Sequence, residues 1–181
     1  MINFRYYKEI AEIYETDNNL EMAVSTYEQA AEFFNNDNKK SNATQCLQKV
    51  ATISSESGNF LKAADIFQQI AQENMQSNLG KFSAKGYLFQ SLLCVMATGD
   101  WVATHQRIDQ SREIDYSFSS SRECDLISKL VKACEDNNSE EFSQSCADFD
   151  RISPLDPWKT SILLKAKKHI TDMSGEEVDL S

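Results

Sequence analysis

The sequence predicts an all-α protein: helical hairpins stacked into a curved solenoid, with a C-terminal helical bundle. Three observations carry this. Chain breakers are scarce, with 2 Pro and 5 Gly in 181 residues, which disfavours a many-stranded sheet joined by tight turns. Apolar residues recur at spacings of three and four, the mark of one buried helix face. A stretch of the chain also repeats itself forty residues on, as Asn19, Ala23, Gln29 and Ala31 return as Asn59, Ala63, Gln69 and Ala71.

Tyr7, Ile10, Ala11 and Tyr14 stripe the first helix, and Leu20, Ala23, Val24, Tyr27, Ala30, Ala31 and Phe34 the second. Ala43, Cys46, Leu47, Val50 and Ala51 stripe a third, and Phe60, Ala63, Ala64, Phe67, Ile70 and Ala71 a fourth. Asp17-Asn18-Asn19 and Ser57-Gly58-Asn59 are the turns inside the two hairpins. Alanines at fixed places let a neighbouring helix approach and the aromatics fill the gap, which is the logic of a tetratricopeptide-like hairpin with a period longer than the usual ~34 residues. A third hairpin starts with Ala84, Leu88, Leu92 and Val95; its extra apolar residues Phe89 and Leu93 predict a helix covered on two sides, and Gly99-Asp100-Trp101 repeats the turn.

Past that turn the repeat loses register but stays helical. Ser120-Ser121-Arg122-Glu123 fits a capping box ahead of Cys124, Ile127, Leu130, Val131 and Cys134. Asn138 and Ser139 open a helix with Phe142, Cys146 and Phe149. Asp156-Pro157 pairs an N-cap with Pro at the first helical position, ahead of Trp158, Ile162, Leu163, Ala166 and Ile170. Lys165, Lys167, Lys168 and His169 end that helix where its dipole favours cations. The expected organisation is an array over 1–115, a bundle over 116–172 and a flexible acidic tail over 173–181.

The net charge of −10 argues against nucleic acid as the main partner. Five cysteines without a Cys-x-x-Cys pair, and no secretory signal in the first fifteen residues, predict reduced, buried thiols in a cytoplasmic protein. No apolar run approaches the ~20 residues of a membrane span. His105 and His169 read as surface histidines, no metal-ligand spacing occurs, and phosphate-cradling and nucleophile-elbow motifs are missing. The residues therefore point to a binding protein with no cofactor and no metal. A stack of hairpins binds on its concave face, where Lys49, Lys81 and Lys85 suit an acidic partner. A generic scaffold for another protein, and an enzyme without a recognisable motif, are the competing readings.

Ala11-Glu12-Ile13-Tyr14-Glu15-Thr16, Tyr27-Glu28-Gln29-Ala30-Ala31, Cys46-Leu47-Gln48-Lys49-Val50-Ala51, Phe82-Ser83-Ala84-Lys85 and Ser121-Arg122-Glu123-Cys124 stand in that order. With the Leu155-Asp156-Pro157-Trp158 helix and an acidic end carrying Leu180, they resemble the soluble NSF attachment proteins, the SNAP family, of alpha/beta type. The resemblance implies a cytoplasmic adaptor, peripheral to membranes, that wraps the SNARE four-helix bundle of syntaxin-type proteins and docks the hexameric ATPase NSF, hydrolysing nothing itself. It implies SNARE-binding residues Arg5, Lys49, Lys81 and Lys85, with Gln45 where the family often has lysine. It implies an NSF-binding surface of Asp100, Glu135 and Asp136, where Lys132 reverses a charge, and an ATPase-stimulating tail of Glu176, Glu177, Asp179 and Leu180, where Ser181 replaces a final arginine. Family members extend further upstream, through more hairpins and an apolar loop that touches membrane. With Phe4, Tyr6 and Tyr7 on its first helix, the chain is expected to be a fragment or truncated form, unable to touch the membrane by itself and weaker in SNARE binding.

Overall fold

Three of the turns between successive helices sit at Asn18, Asn38 and Gly58, each with positive φ (56°, 55° and 85°) and spaced by 20 residues. Asn tolerates this left-handed backbone and Gly adopts it freely. Each turn is closed by the same backbone bond, Asn19 N–H to the Tyr14 carbonyl, Lys39 to Phe34 and Asn59 to Ser54, all at 2.8 Å. The forty-residue repeat seen in the sequence is thus two units of helix plus turn. Asn38 is the member that the sequence pattern did not reveal.

The computed structural model describes residues 5–170, the side chain of Arg5 excepted. Six helices form three hairpins: α1 Arg5–Thr16, α2 Leu20–Asn36, α3 Lys40–Glu56, α4 Phe60–Met75, α5 Lys81–Met96 and α6 Trp101–Ile114. A 3-10 turn, Tyr116–Ser120, then leads into α7 Arg122–Glu135, α8 Ser139–Asp150 and α9 Pro157–Lys167. The described residues are therefore all-helical, with stacked hairpins and no strand, as the sequence predicts. None of these helices is long and apolar enough to cross a membrane.

Ala23, Ala30, Ala63, Ala64 and Ala71 are all fully buried at helix contacts, with Tyr27 and Phe67 filling the space between them. Helix α5 is buried continuously from Ser91 to Ala97; one side packs on α4 and others meet α7 and α9, which explains its apolar residues off the stripe. The Ser91 hydroxyl donates to the Ala64 carbonyl at 2.8 Å, and Arg107 from α6 reaches the same carbonyl at 3.4 Å and Asp65 at 2.7 Å. Those bonds stitch the second hairpin to the third.

Helix starts follow the sequence with one shift. Asn138 caps α8 by accepting from Glu141 N–H at 2.9 Å, and Asp156 caps α9 by accepting from Lys159 N–H at 2.8 Å. At α7 the cap is Ser121, accepting from Cys124 N–H at 3.1 Å, not Ser120. Ser120 belongs to the 3-10 turn, so Glu123 falls one position short of closing the expected box.

The final helix turns back onto the array. The Trp158 indole N–H donates to the Ser55 hydroxyl at 3.0 Å, its ring meets Phe67 edge-on at 5.5 Å, and Lys165 donates to the Ser55 carbonyl at 3.3 Å. His169 is exposed, as expected, yet it is held in place: its Nε2 lies 3.0 Å from the Ala97 carbonyl and its ring is edge-on to Trp101. Gly99 makes that seat possible, because a Cβ there would come within 2.6 Å of the imidazole. Trp158→Ala should cost about 3 kcal/mol, the low end for truncating a packed aromatic. Urea unfolding would measure it, with exposed Ser161→Ala in the same helix expected within about 0.5 kcal/mol of wild type.

Candidate functional site

The expected lysines and the expected carboxylates fall on different helices. Lys49 is on α3, while Lys81 and Lys85 are one turn apart on α5, so these lysines lie on the first helices of the second and third hairpins. Arg5 begins α1, but its side chain lies outside the described residues. Lys49 donates to Glu15 of α1 at 2.7 Å, and Lys85 lies 3.6 Å from Glu123 of α7. The structure therefore seats Lys49 against α1 and Lys85 against α7, each beside a carboxylate of its own chain.

Lys49 shares a groove between α1 and α3, of about 410 Å³, with Lys8, Glu12 and Gln45. Lys8 donates to the Gln45 amide oxygen at 3.0 Å, placing an ammonium beside the position where the sequence lacks one. Sequence reasoning missed Lys8, because nothing local links residues 8 and 45. It also missed Leu79 and Phe82, both 87% exposed on either side of Lys81. Their signal was visible: Phe82 falls off the Ala84–Leu88 stripe, and Leu79 sits in the turn before it.

Burial alone would raise the Glu15 carboxyl, but hydrogen bonds from Lys49 and Tyr27 and the Lys49 charge outweigh it and hold the group below its ordinary value. Tyr27 donates to Glu15 at 2.7 Å. Burial first, and that bond second, push its phenol well above the usual range, so it remains a donor.

The acidic residues meet at the other expected surface. Asp100 caps α6, its carboxylate accepting from Ala103 N–H at 2.8 Å. Glu135 ends α7 and Asp136 follows it. His105 Nε2 lies 3.0 Å from Glu135, tying the start of α6 to the end of α7. Asp100, Glu135 and Asp136 are thus brought to one end of two neighbouring helices, all exposed, with Lys132 exposed one turn earlier on α7. Glu176, Glu177, Asp179 and Leu180 lie outside the described residues.

Chemistry of another kind finds little to work with among the described residues. No group of His, Cys, Asp and Glu there could hold a metal ion. Burial pushes the Cys46 and Cys146 thiols up to about 11 and those of Cys94 and Cys134 up to about 12, far from the thiolate that nucleophilic chemistry needs.

Comparison with known proteins gives a consistent result. The family model described as "Soluble NSF attachment protein, SNAP" matches residues 4–171. An alpha-soluble NSF attachment protein of Dictyostelium discoideum is 36% identical over 93% of this chain and 58% of its own length. The human alpha protein is 38% identical over 97% of this chain and 59% of its own. A probable vesicular-fusion protein sec17 homolog of Schizosaccharomyces pombe is 35% identical over 96% and 62%. The chain spans about three-fifths of the length of these relatives.

The Glu15–Lys49 pair gives a pH dependence of defined sign. A carboxyl lowered in the folded state stabilises the fold above its ordinary value of 4.5 and ceases to do so as pH falls through the lowered value. Lys49→Ala should therefore cost up to about 1 kcal/mol at pH 7, the pair being partly exposed. Urea unfolding from pH 7 to 2 should show the gap between the two proteins closing below about pH 4.5.

Proposed function

We propose that this chain, which belongs to the soluble NSF attachment protein family, is an adaptor: it holds assembled SNARE bundles and recruits and stimulates the ATPase NSF for their disassembly in vesicle transport. The observation that carries the reading is the family match over residues 4–171. The meeting of Asp100, Glu135 and Asp136 at one end of α6 and α7 supports it. The lysines of α3 and α5 would face an acidic helical bundle, joined by Lys8 and the exposed Leu79 and Phe82. A purely electrostatic surface would leave that apolar pair without a role. Asp100, Glu135 and Asp136 would face a basic surface on NSF, and Asp179 and Leu180 would stimulate its hydrolysis. In this reading the chain performs no chemistry and works in the cytoplasm, reaching membranes through the SNAREs it holds.

Added to NSF and a SNARE complex, the chain should raise the rate of ATP hydrolysis, and Leu180→Ala should abolish the rise without changing the circular dichroism. No stimulation by the wild-type chain would count against the adaptor role. Replacing Lys49, Lys81 and Lys85 by Ala should weaken SNARE binding roughly tenfold, at about 0.5 kcal/mol per lysine. Raising salt from ~0.05 to ~0.5 M should weaken wild-type binding as well; salt-insensitive binding would place the interface elsewhere.

A further inference from the structure

The adaptor reading leaves unused a pocket of about 610 Å³ at the end of the array where α9 finishes. Phe60 and Leu61 supply its apolar wall, and Lys62, Lys165, Lys168 and His169 surround it. No carboxylate lines it, in a chain of net charge −10, although the Lys62 ammonium at its rim pairs outward with Glu28 at 2.8 Å. Its wall is also the N-terminus of α4, where Asn59 makes no side-chain capping bond, so the first turn of that helix adds positive potential. Lys165 stands 5.2 Å from the Phe60 ring centre, which fixes one cation over the apolar wall. An apolar wall inside a ring of cations fits a peptide segment that alternates apolar and acidic side chains.

The chain carries such a segment. Glu177-Val178-Asp179-Leu180 alternates acid and apolar, so laid out extended it would present Val178 and Leu180 on one side and both carboxylates on the other. It is tethered beside the pocket, since Glu176 follows Ile170 by six residues and Lys168 and His169 are pocket walls. So short a tether sets a local concentration of about millimolar, without any partner.

We propose that this pocket is the seat of the chain's own segment Glu176–Leu180, with Val178 and Leu180 against Phe60 and Leu61 and the carboxylates on Lys62, Lys165 and Lys168. Its consequence for regulation rests on the adaptor reading: the residues proposed to act on NSF are held on the chain until a competing surface takes them. The docking itself is tested without NSF or SNAREs, so its failure leaves the adaptor role standing, and failure of that role leaves the docking intact.

The test uses the 15N-labelled full chain, alone and dilute. Val178→Ser/Leu180→Ser should shift the amide resonances of Phe60, Leu61 and Lys62. The exposed pair Lys62→Glu/Lys168→Glu should shift those of Glu177 to Leu180, with circular dichroism unchanged in both variants. Both differences should shrink between ~0.05 and ~0.5 M salt. A carbodiimide should join Glu177 or Asp179 to Lys62, Lys165 or Lys168 within one chain, a bond that Lys62→Glu/Lys168→Glu should no longer form. Pocket resonances unmoved by the tail variant would overturn the proposal. So would cross-links that form only between chains when labelled and unlabelled protein are mixed, because the pocket would then take an acidic segment from another molecule.

Discussion

Trp158 of α9 places its indole N–H on the Ser55 hydroxyl and its ring on Phe67, 103 residues back from its own position and 91 respectively. A stack of hairpins in which each unit touches only its neighbours gains stability unit by unit and can fray the same way. Here the last helix returns past α7 and α8 to the second hairpin, and Lys165 ties down the same region two turns later through the Ser55 carbonyl and the Phe60 ring. The burial of α5 follows from it. That helix has α4 on one side and α9 on another, which is why Leu88 to Ala97 carries apolar residues all round. The seat of His169 at Gly99 and the cationic pocket beside Phe60 follow too, since both are walls of the same docked helix.

The charged surfaces are balanced internally before any partner arrives. Lys49 has Glu15, Lys85 has Glu123 and Arg107 has Asp65. An acidic group meeting Lys49 or Lys85 would therefore exchange one carboxylate for another, and gain little per exchange. Such an arrangement favours rapid, salt-sensitive association over tight holding. Exposed Leu79 and Phe82 are of a different kind, because they have no internal substitute for the apolar cover that a partner would supply.

How much of this was legible in the sequence depended on how far apart the interacting residues are. The hairpins were readable because Ala23, Tyr27 and Ala31 and their counterparts Ala63, Phe67 and Ala71 encode their packing within two turns of helix. Asn138 and Asp156 announced helix starts through bonds only three residues long. Ser121 was missed by one position because three serines in a row offer equivalent hydroxyls, and only the preceding 3-10 turn selects among them. Lys8 beside Gln45, Trp158 on Ser55 and His169 on Ala97 join residues 37, 103 and 72 positions apart, and no local pattern encodes such pairs. Among the expected site residues, Asp100, Glu135 and Asp136 were named from resemblance; that they share one end of α6 and α7 became visible only in three dimensions.

The spacing of Asn18, Asn38 and Gly58 makes length itself a constraint on this chain. One residue inserted inside a helix rotates everything after it by about 100°, so the buried alanines of that helix would face water while charged neighbours turned inward. The interval after Gly58 departs from twenty: the next glycine with positive φ, Gly99, comes after a longer connection between α4 and α5. The frame of the array is therefore rigid through its first two hairpins and is reset at Gln76–Gly80, where a change in residue count can be taken up in a loop. Sequence drift in such a protein is free to change side chains on the outer helix faces, but insertions and deletions are confined to the joints.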